Sequence, residues 1–302
     1  MQNIQGKILK GVGGKYEVLC EGETYTARAR GVFRHDGISP QVGDNVTLRL
    51  EDTGEHYIDR IAERKNLLIR PPLANLDYML ITAAAAKPAP VLETLDKLSV
   101  ICTHNAITPV FVITKCDLAR DVGKELAALY RGAGFTAFTL ADGDEEATKA
   151  LRLWLEDALR GHTAAFAGAS GIGKSTLLNR LFPRLSLTTG EISEKISRGK
   201  HTTRHVELFP LCGGFIADTP GFSMLDFLRF DFMDLDALAD AFAEFAPYLG
   251  RCRYKDCTHL CEEGCAIVDA VANGKIAPSR HESYKSLYHT LKNKHAWTKI
   301  PH

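Results

Sequence analysis

The alternation of apolar and polar positions takes three rhythms along the chain. Up to about residue 70 the period is near two. Residues 16–20 and 24–30 flank the turn Glu21-Gly22-Glu23. Val46, Leu48 and Leu50 alternate with Thr47 and Arg49, and residues 57–61 read as a further strand. Around five short strands in such a stretch predict a small β-barrel, with the OB-fold first among candidates. Arg70-Pro71-Pro72 then halts regular pairing and marks a boundary.

From there to about residue 222, buried runs alternate with helical stretches. Strands are expected over 78–83, 109–114, 135–140, 163–167, 206–209 and 215–217, and helices over 91–102, 145–159 and 174–181. That alternation predicts an α/β sheet covered by helices. Residues 231–249 place Phe232, Leu235, Leu238, Phe242, Phe245 and Leu249 on one stripe, with Asp231, Asp234 and Asp236 near its start. This predicts a core helix. The expected domains are 1–70, 71–230 and 231–302.

Composition narrows the class. The 302 residues carry 37 Lys/Arg against 37 Asp/Glu, with 45% apolar and 25% charged residues, the balance of a soluble globular protein. The longest largely apolar stretch, 78–86, is far below the roughly 18 residues of a spanning helix, so no membrane partner is expected. The N-terminal residues lack the apolar core of a secretory signal, which predicts a cytoplasmic chain with reduced cysteines. From Lys275 to His302 there are six Lys/Arg, one acid and four histidines. That tail is either a polyanion contact or a solvated helix.

Three motifs carry chemistry. Gly168-Ala169-Ser170-Gly171-Ile172-Gly173-Lys174-Ser175, followed by Thr176, fits G-x-x-x-x-G-K-[ST] between a predicted strand and a predicted helix. Its glycines let backbone N–H groups curl round phosphates, Lys174 reaches the β- and γ-phosphates, and Ser175 offers a hydroxyl to Mg²⁺. Asp218-Thr219-Pro220-Gly221 follows a buried strand, where a P-loop enzyme places an acid near the metal. The intervening residues 185–205 hold Lys195, Arg198, Lys200, Arg204 and His201-Thr202-Thr203, from which Thr203, in preference to Thr202, is the expected Mg²⁺ ligand. Thr114-Lys115-Cys116-Asp117 closes another buried strand and resembles the guanine-reading N/T-K-x-D motif of GTPases. There the Asp accepts from the base's N1–H and exocyclic amine, a donor pair adenine lacks.

Cys252-x₄-Cys257-x-His259-x₅-Cys265 offers three thiolates and one imidazole, a set suited to one structural zinc. Cys261 is a rival for the place of Cys265, and free buried thiols are the alternative to a metal.

Together these elements resemble the bacterial ribosome small subunit-dependent GTPase A family over nearly the whole chain. The most specific parts are the order of the motifs, with 114–117 ahead of 168–175 and 218–221, and the Cys252/Cys257/His259/Cys265 spacing. Gly199-Lys200-His201-Thr202-Thr203-Arg204 is similar to the family's first switch. The resemblance implies an N-terminal OB-fold, a circularly permuted P-loop GTPase domain and a C-terminal, mostly helical zinc-binding domain. It implies a cytoplasmic GTPase that binds the small ribosomal subunit and its rRNA late in assembly and departs after hydrolysis. A monomer is expected. Residues 138–141 stand where the last guanine motif belongs, without its usual Ser-Ala.

Phe222 stands where many GTPases place a water-orienting Gln, so slow intrinsic hydrolysis is expected, raised by a partner. His201 is the candidate for positioning water, against a solvent-facing or RNA-contacting role. Arg28, Arg30 and Arg34 are candidates for phosphate contacts, Tyr25 or Phe33 for base stacking, and Lys285, Lys292, Lys294, Lys299 and Trp297 for further grip. Two other classes share parts of the pattern: a metabolic P-loop kinase or ATPase, and a nucleotide-regulated RNA-binding module without useful catalysis.

Overall fold

A computed structural model of the chain describes residues 2–31, 33, 38–51, 54–69, 71–168, 172, 174–182, 206–218 and 233–298. In chain order the strands and helices are β1 (Gln2–Val12), β2 (Lys15–Cys20), β3 (Glu23–Ala29), β4 (Asn45–Leu50), β5 (His56–Ile61), β6 (Leu67–Ile69), β7 (Pro72–Ala74), β8 (Tyr78–Ala84), α1 (Leu92–His104), β9 (Thr108–Thr114), α2 (Arg120–Gly132), β10 (Thr136–Thr139), α3 (Glu145–Ala158), β11 (Thr163–Ala167), α4 (Lys174–Leu181), β12 (Glu207–Leu211), β13 (Gly214–Asp218), α5 (Ala266–Ala272) and α6 (Pro278–Thr298). They fall within two compact units. One comprises Met1–Met79, Ala150–Phe166 and Ser175–Phe222; the other comprises Leu80–Lys149, Ala167–Lys174 and Ser223–His302.

In the first unit the strands run in the order β1-β2-β3-β5-β4, and β1 pairs again with β4 from Gln2↔Leu50 to Lys7↔Asn45. This closes a five-stranded barrel with one parallel pair, β3 with β5. That is the OB architecture expected from the strand count. Ile8, Val18, Ala27, Val46, Leu48 and Ile58 are all buried in it. A Cβ at Gly6 would lie 2.3 Å from Cys20 Sγ and 2.7 Å from Leu19 O, so β1 approaches β2 this closely only as glycine. The alternation rule missed β1 itself, because a register shift between Ile8 and Lys10 breaks its period.

Past the barrel, β1 pairs with β12 at Lys10↔Glu207, where the two side chains form an ion pair at 3.2 Å. β12 and β13 make an antiparallel hairpin, and β13 runs parallel to β11. One barrel expectation changes: Phe33 is buried and presents no stacking surface. Arg30, exposed, forms an ion pair with Asp59 at 2.5 Å. Arg34 lies outside the described residues.

In the second unit β9 lies between β8 and β10, parallel to β10 through Thr136↔Val110 to Thr139↔Ile113. From Pro109 to Thr114 every residue of β9 is buried, as expected of a parallel strand covered on both faces. The core helix expected over 231–249 is corrected. Its described part holds two 3₁₀ turns, Leu235–Ala237 and Ala243–Phe245, because Phe242 adopts an extended backbone (φ −91°, ψ 98°). The stripe is nevertheless buried. Leu238, Phe242 and Phe245 are 0% exposed, and the two Phe rings stack with centroids 5.0 Å apart. Tertiary packing overrides helical periodicity here.

Arg280, in the first turn of α6, is 0% exposed. Its Nε donates to Glu244 Oε1 at 2.6 Å, its Nη1 to Asp96 Oδ1 at 2.7 Å and to Ser99 Oγ at 3.0 Å on α1. Tyr130 of α2 donates to the same Asp96 oxygen at 3.0 Å. Burial opposes the Arg280 charge, yet Glu244 and Asp96 outweigh it and raise its pKa. One guanidinium thus ties the C-terminal segment to two helices of the sheet layer.

Candidate nucleotide site and metal centre

The end of β9 turns sharply at Lys115, a non-glycine residue at φ +56°. Three backbone hydrogen bonds hold the turn. Ala85 N donates to Thr114 O at 2.8 Å, Cys116 N to Leu140 O at 3.1 Å, and Leu118 N to Lys115 O at 3.1 Å. The Thr114 hydroxyl sits 3.2 Å from both Ala83 O and Ile172 O. Ile172 belongs to the glycine-rich loop, so the two motifs meet at this hydroxyl across a sequence separation of 58 residues. Lys115 Nζ donates to Lys87 O at 2.5 Å. Asp117 Oδ1 accepts from Asp142 N at 3.0 Å, which aims the carboxylate before any base arrives.

Leu140, the partner of Cys116, lies in the 138–141 segment that the resemblance singled out, whereas Asp142, the partner of Asp117, was not foreseen. Its signal is the turn chemistry of Asp142-Gly143, with Gly143 at φ +74°. The first glycine of the phosphate loop is explained by close approach. Gly168 has φ +139°, and a Cβ there would lie 2.3 Å from Thr82 O on β8.

Lys174 and Ser175 open α4, Thr176 follows on its exposed side, and Asp218 ends β13. Ala169, Ser170, Gly171, Gly173, His201, Thr202, Thr203, Gly221 and Phe222 lie outside the described residues, as do Lys195, Arg198, Lys200, Arg204 and Lys299.

The ligand atoms of Cys252, Cys257, His259 and Cys265 all lie within 4.8 Å of one another. Cys252 Sγ and Cys265 Sγ are each 3.5 Å from His259 Nδ1 and 3.9 Å from each other. A tetrahedral zinc with Zn–S of about 2.3 Å and Zn–N of about 2.0 Å needs edges of roughly 3.5–3.8 Å, so the set fits. Cys265, not Cys261, completes it, since Cys261 is exposed and outside the cluster. Burial lowers the His259 pKa, keeping a neutral imidazole available, and pushes Cys257 up to about 12, so a bound metal must displace thiol protons.

His259 takes a left-handed backbone (φ +62°), and groups the sequence did not flag hold the knuckle around it. His281 Nε2 donates to His259 O at 2.7 Å, and Tyr284 OH donates to Thr258 O at 2.8 Å. Glu262 accepts from Thr258 N at 2.9 Å, Leu260 N at 2.9 Å, Cys261 N at 3.2 Å and the Thr258 hydroxyl. Burial opposes its charge, but these donors hold the carboxyl down at about 2.

Comparison with known proteins follows the same lines. A family model described as RsgA GTPase matches residues 61–228, and one described as RsgA N-terminal domain matches residues 5–58. The chain is 40% identical over 294 residues to the small ribosomal subunit biogenesis GTPase RsgA of Geobacillus sp. (strain WCH70), covering 96% of this chain and 98% of that protein. It is 40% identical over 298 residues to the protein of that name from Enterococcus faecalis (strain ATCC 700802 / V583), covering 97% of each. Among solved structures it resembles YloQ, a circularly permuted GTPase, with a TM-score of 0.78 at 31% identity over 100% of this chain and 98% of that one. YjeQ from Thermotoga maritima gives a TM-score of 0.78 at 30% identity, over 96% and 99%. No described helix is long and apolar enough to cross a membrane.

Proposed function

The chain belongs to the RsgA GTPase family and is a circularly permuted GTP hydrolase of ribosome biogenesis; we propose that it acts on the small ribosomal subunit late in maturation, binds its rRNA, and is stimulated there. The observation that carries the nucleotide assignment is the Thr114 hydroxyl on Ile172 O, which joins base-reading motif and phosphate loop in one corner. In this reading Thr114–Asp117 hold the guanine and Gly168–Thr176 the phosphates. Asp218 and Gly221 would serve the γ-phosphate, and Ser175 and Thr203 would hold the Mg²⁺ that neutralises phosphate charge. In this reading the domains divide at 70/71 and 230/231; the family models cover residues 5–58 and 61–228. The protein works as a cytoplasmic monomer.

GTP hydrolysis measured with and without purified small subunits tests the proposal. Turnover should rise roughly 10³-fold or more, the scale on which a partner completes a GTPase site. No rise would favour a nucleotide-regulated RNA-binding module. In the stimulated state His201→Ala should lose at least ~10-fold if this imidazole positions the attacking water. Unchanged turnover removes it from the mechanism.

One zinc held by Cys252, Cys257, His259 and Cys265 shapes the 252–265 knuckle. Metal analysis should find one equivalent per chain and none in Cys257→Ser, with tryptic cleavage moving into the knuckle. The pH dependence has a definite sign. The Glu262 carboxyl is depressed from its ordinary 4.5 to about 2. Its stabilisation is therefore present above the unfolded value and fades as pH falls from there through the folded one. Thiol protonation acts in the same direction, so metal should be released on acidification. A metal-free wild type that retains the knuckle's protection would refute the assignment.

A further inference from the structure

We propose that Gly123 is a positioning residue for guanine recognition: lacking a side chain, it lets α2 rest against Cys116 and so sets the place at which Asp117 is held. The inference rests on the guanine-reading role of Asp117 proposed above. Gly123 is buried in the first half of α2, where alanine is the better helix former, so a glycine there needs a reason. The reason is space. A Cβ on Gly123 would lie 2.6 Å from Cys116 Sγ, 3.3 Å from Cys116 Cβ and 3.8 Å from Ala85 Cβ. Ordinary contact is about 3.5–4.0 Å, so the overlap is roughly 1 Å.

Cys116 has little freedom to retreat. It is 8% exposed, its Sγ donates to Ile113 O at 3.3 Å, and its N is bonded to Leu140 O at 3.1 Å. Its neighbours are equally held, Thr114 by Ala83, Ala85 and Ile172, and Asp117 by Asp142 N. Within the motif, Cys116 is therefore the side chain that meets α2, and a push on it is transmitted to Asp117. Displacing a bonding group by about 1 Å is enough to lose on the order of 10²-fold in a well-oriented site.

The test compares binding of GDP, IDP (which lacks the exocyclic amine) and ADP to the full chain and its variants. The wild type should prefer GDP over IDP by about 10-fold or more. Gly123→Ala should compress that ratio by about 10-fold and lower thermal stability, because the overlap with Cys116 outweighs the helix preference for alanine. Adding Cys116→Ala, which removes the obstructing sulfur, should restore the ratio. An unchanged ratio in Gly123→Ala overturns the proposal. So does a compressed ratio that Cys116→Ala fails to restore. Should Gly123→Ala alone be insoluble, the change is made in the Cys116→Ala background, where further compression of the ratio overturns the inference and its absence supports it. A wild type binding GDP and ADP equally would be a separate failure, that of the guanine-reading role itself.

Discussion

Asp117→Asn should convert the preference of the site from guanine to xanthine nucleotides. In the proposed role the carboxylate would accept from two base N–H groups, each a charge-assisted bond contributing about 1.5–3 kcal/mol. Asparagine keeps one acceptor, which can still hold the backbone N–H of Asp142 or the base N1–H, and turns an NH₂ donor toward the exocyclic amine. One attraction becomes a donor–donor repulsion. GTP affinity should fall about 10²–10⁴-fold, the equivalent of losing roughly 3–5 kcal/mol. Xanthine carries a carbonyl where guanine carries the amine, so the new NH₂ finds an acceptor. Titration with labelled GDP and XDP checks this. A variant still preferring GDP would place base recognition elsewhere and detach 114–117 from function.

The second large effect concerns stability. Arg280→Met should cost about 3–5 kcal/mol, because it strands two buried carboxylates. Asp96 and Glu244 side chains are 0% and 6% exposed, and Asp96 Oδ2 already has no hydrogen-bond partner among the described atoms. Without Arg280, Asp96 keeps the Tyr130 hydroxyl on its other oxygen, at 3.0 Å. The Arg280 ring contacts also go, including Phe242 at 4.8 Å. Because that guanidinium spans α1, Glu244 and α6, the C-terminal segment should loosen first. Earlier proteolysis there and a lower urea midpoint are the readouts. The triple variant Arg280→Met, Asp96→Asn, Glu244→Gln should recover most of the loss, since it removes the buried charges together. A triple variant no better than the single one would show that packing, not charge, holds this junction.

Much of the architecture was legible because each signal is local. The strand 163–167 and helix 174–181 match their expected bounds residue for residue, since a buried strand, a glycine turn and a helix start occupy one contiguous stretch. Thr114–Asp117 and the cluster Cys252, Cys257, His259 and Cys265, which could hold a metal, stood out in the sequence for the same reason: their chemistry demands fixed residue types at short spacing. Where regularity depends on distant partners, the reading failed. β1 is bulged to serve β2, β4 and β12 at once, and the stripe 235–245 is bent so that Phe242 and Phe245 both reach the packing around α6.

By itself, then, the order of residues determined the chemistry on offer: a phosphate-loop motif, a candidate base-reading carboxylate placed ahead of it, and a thiol–imidazole set. Only the folded chain decided who stands beside whom. It brought Thr114 to Ile172, chose Cys265 over Cys261, set the unforeseen Asp142 N–H on Asp117, and buried Arg280 between two acids. The reason is physical: short motifs satisfy their own backbone and side-chain needs within a turn, whereas a buried polar group must find its partner wherever packing delivers one.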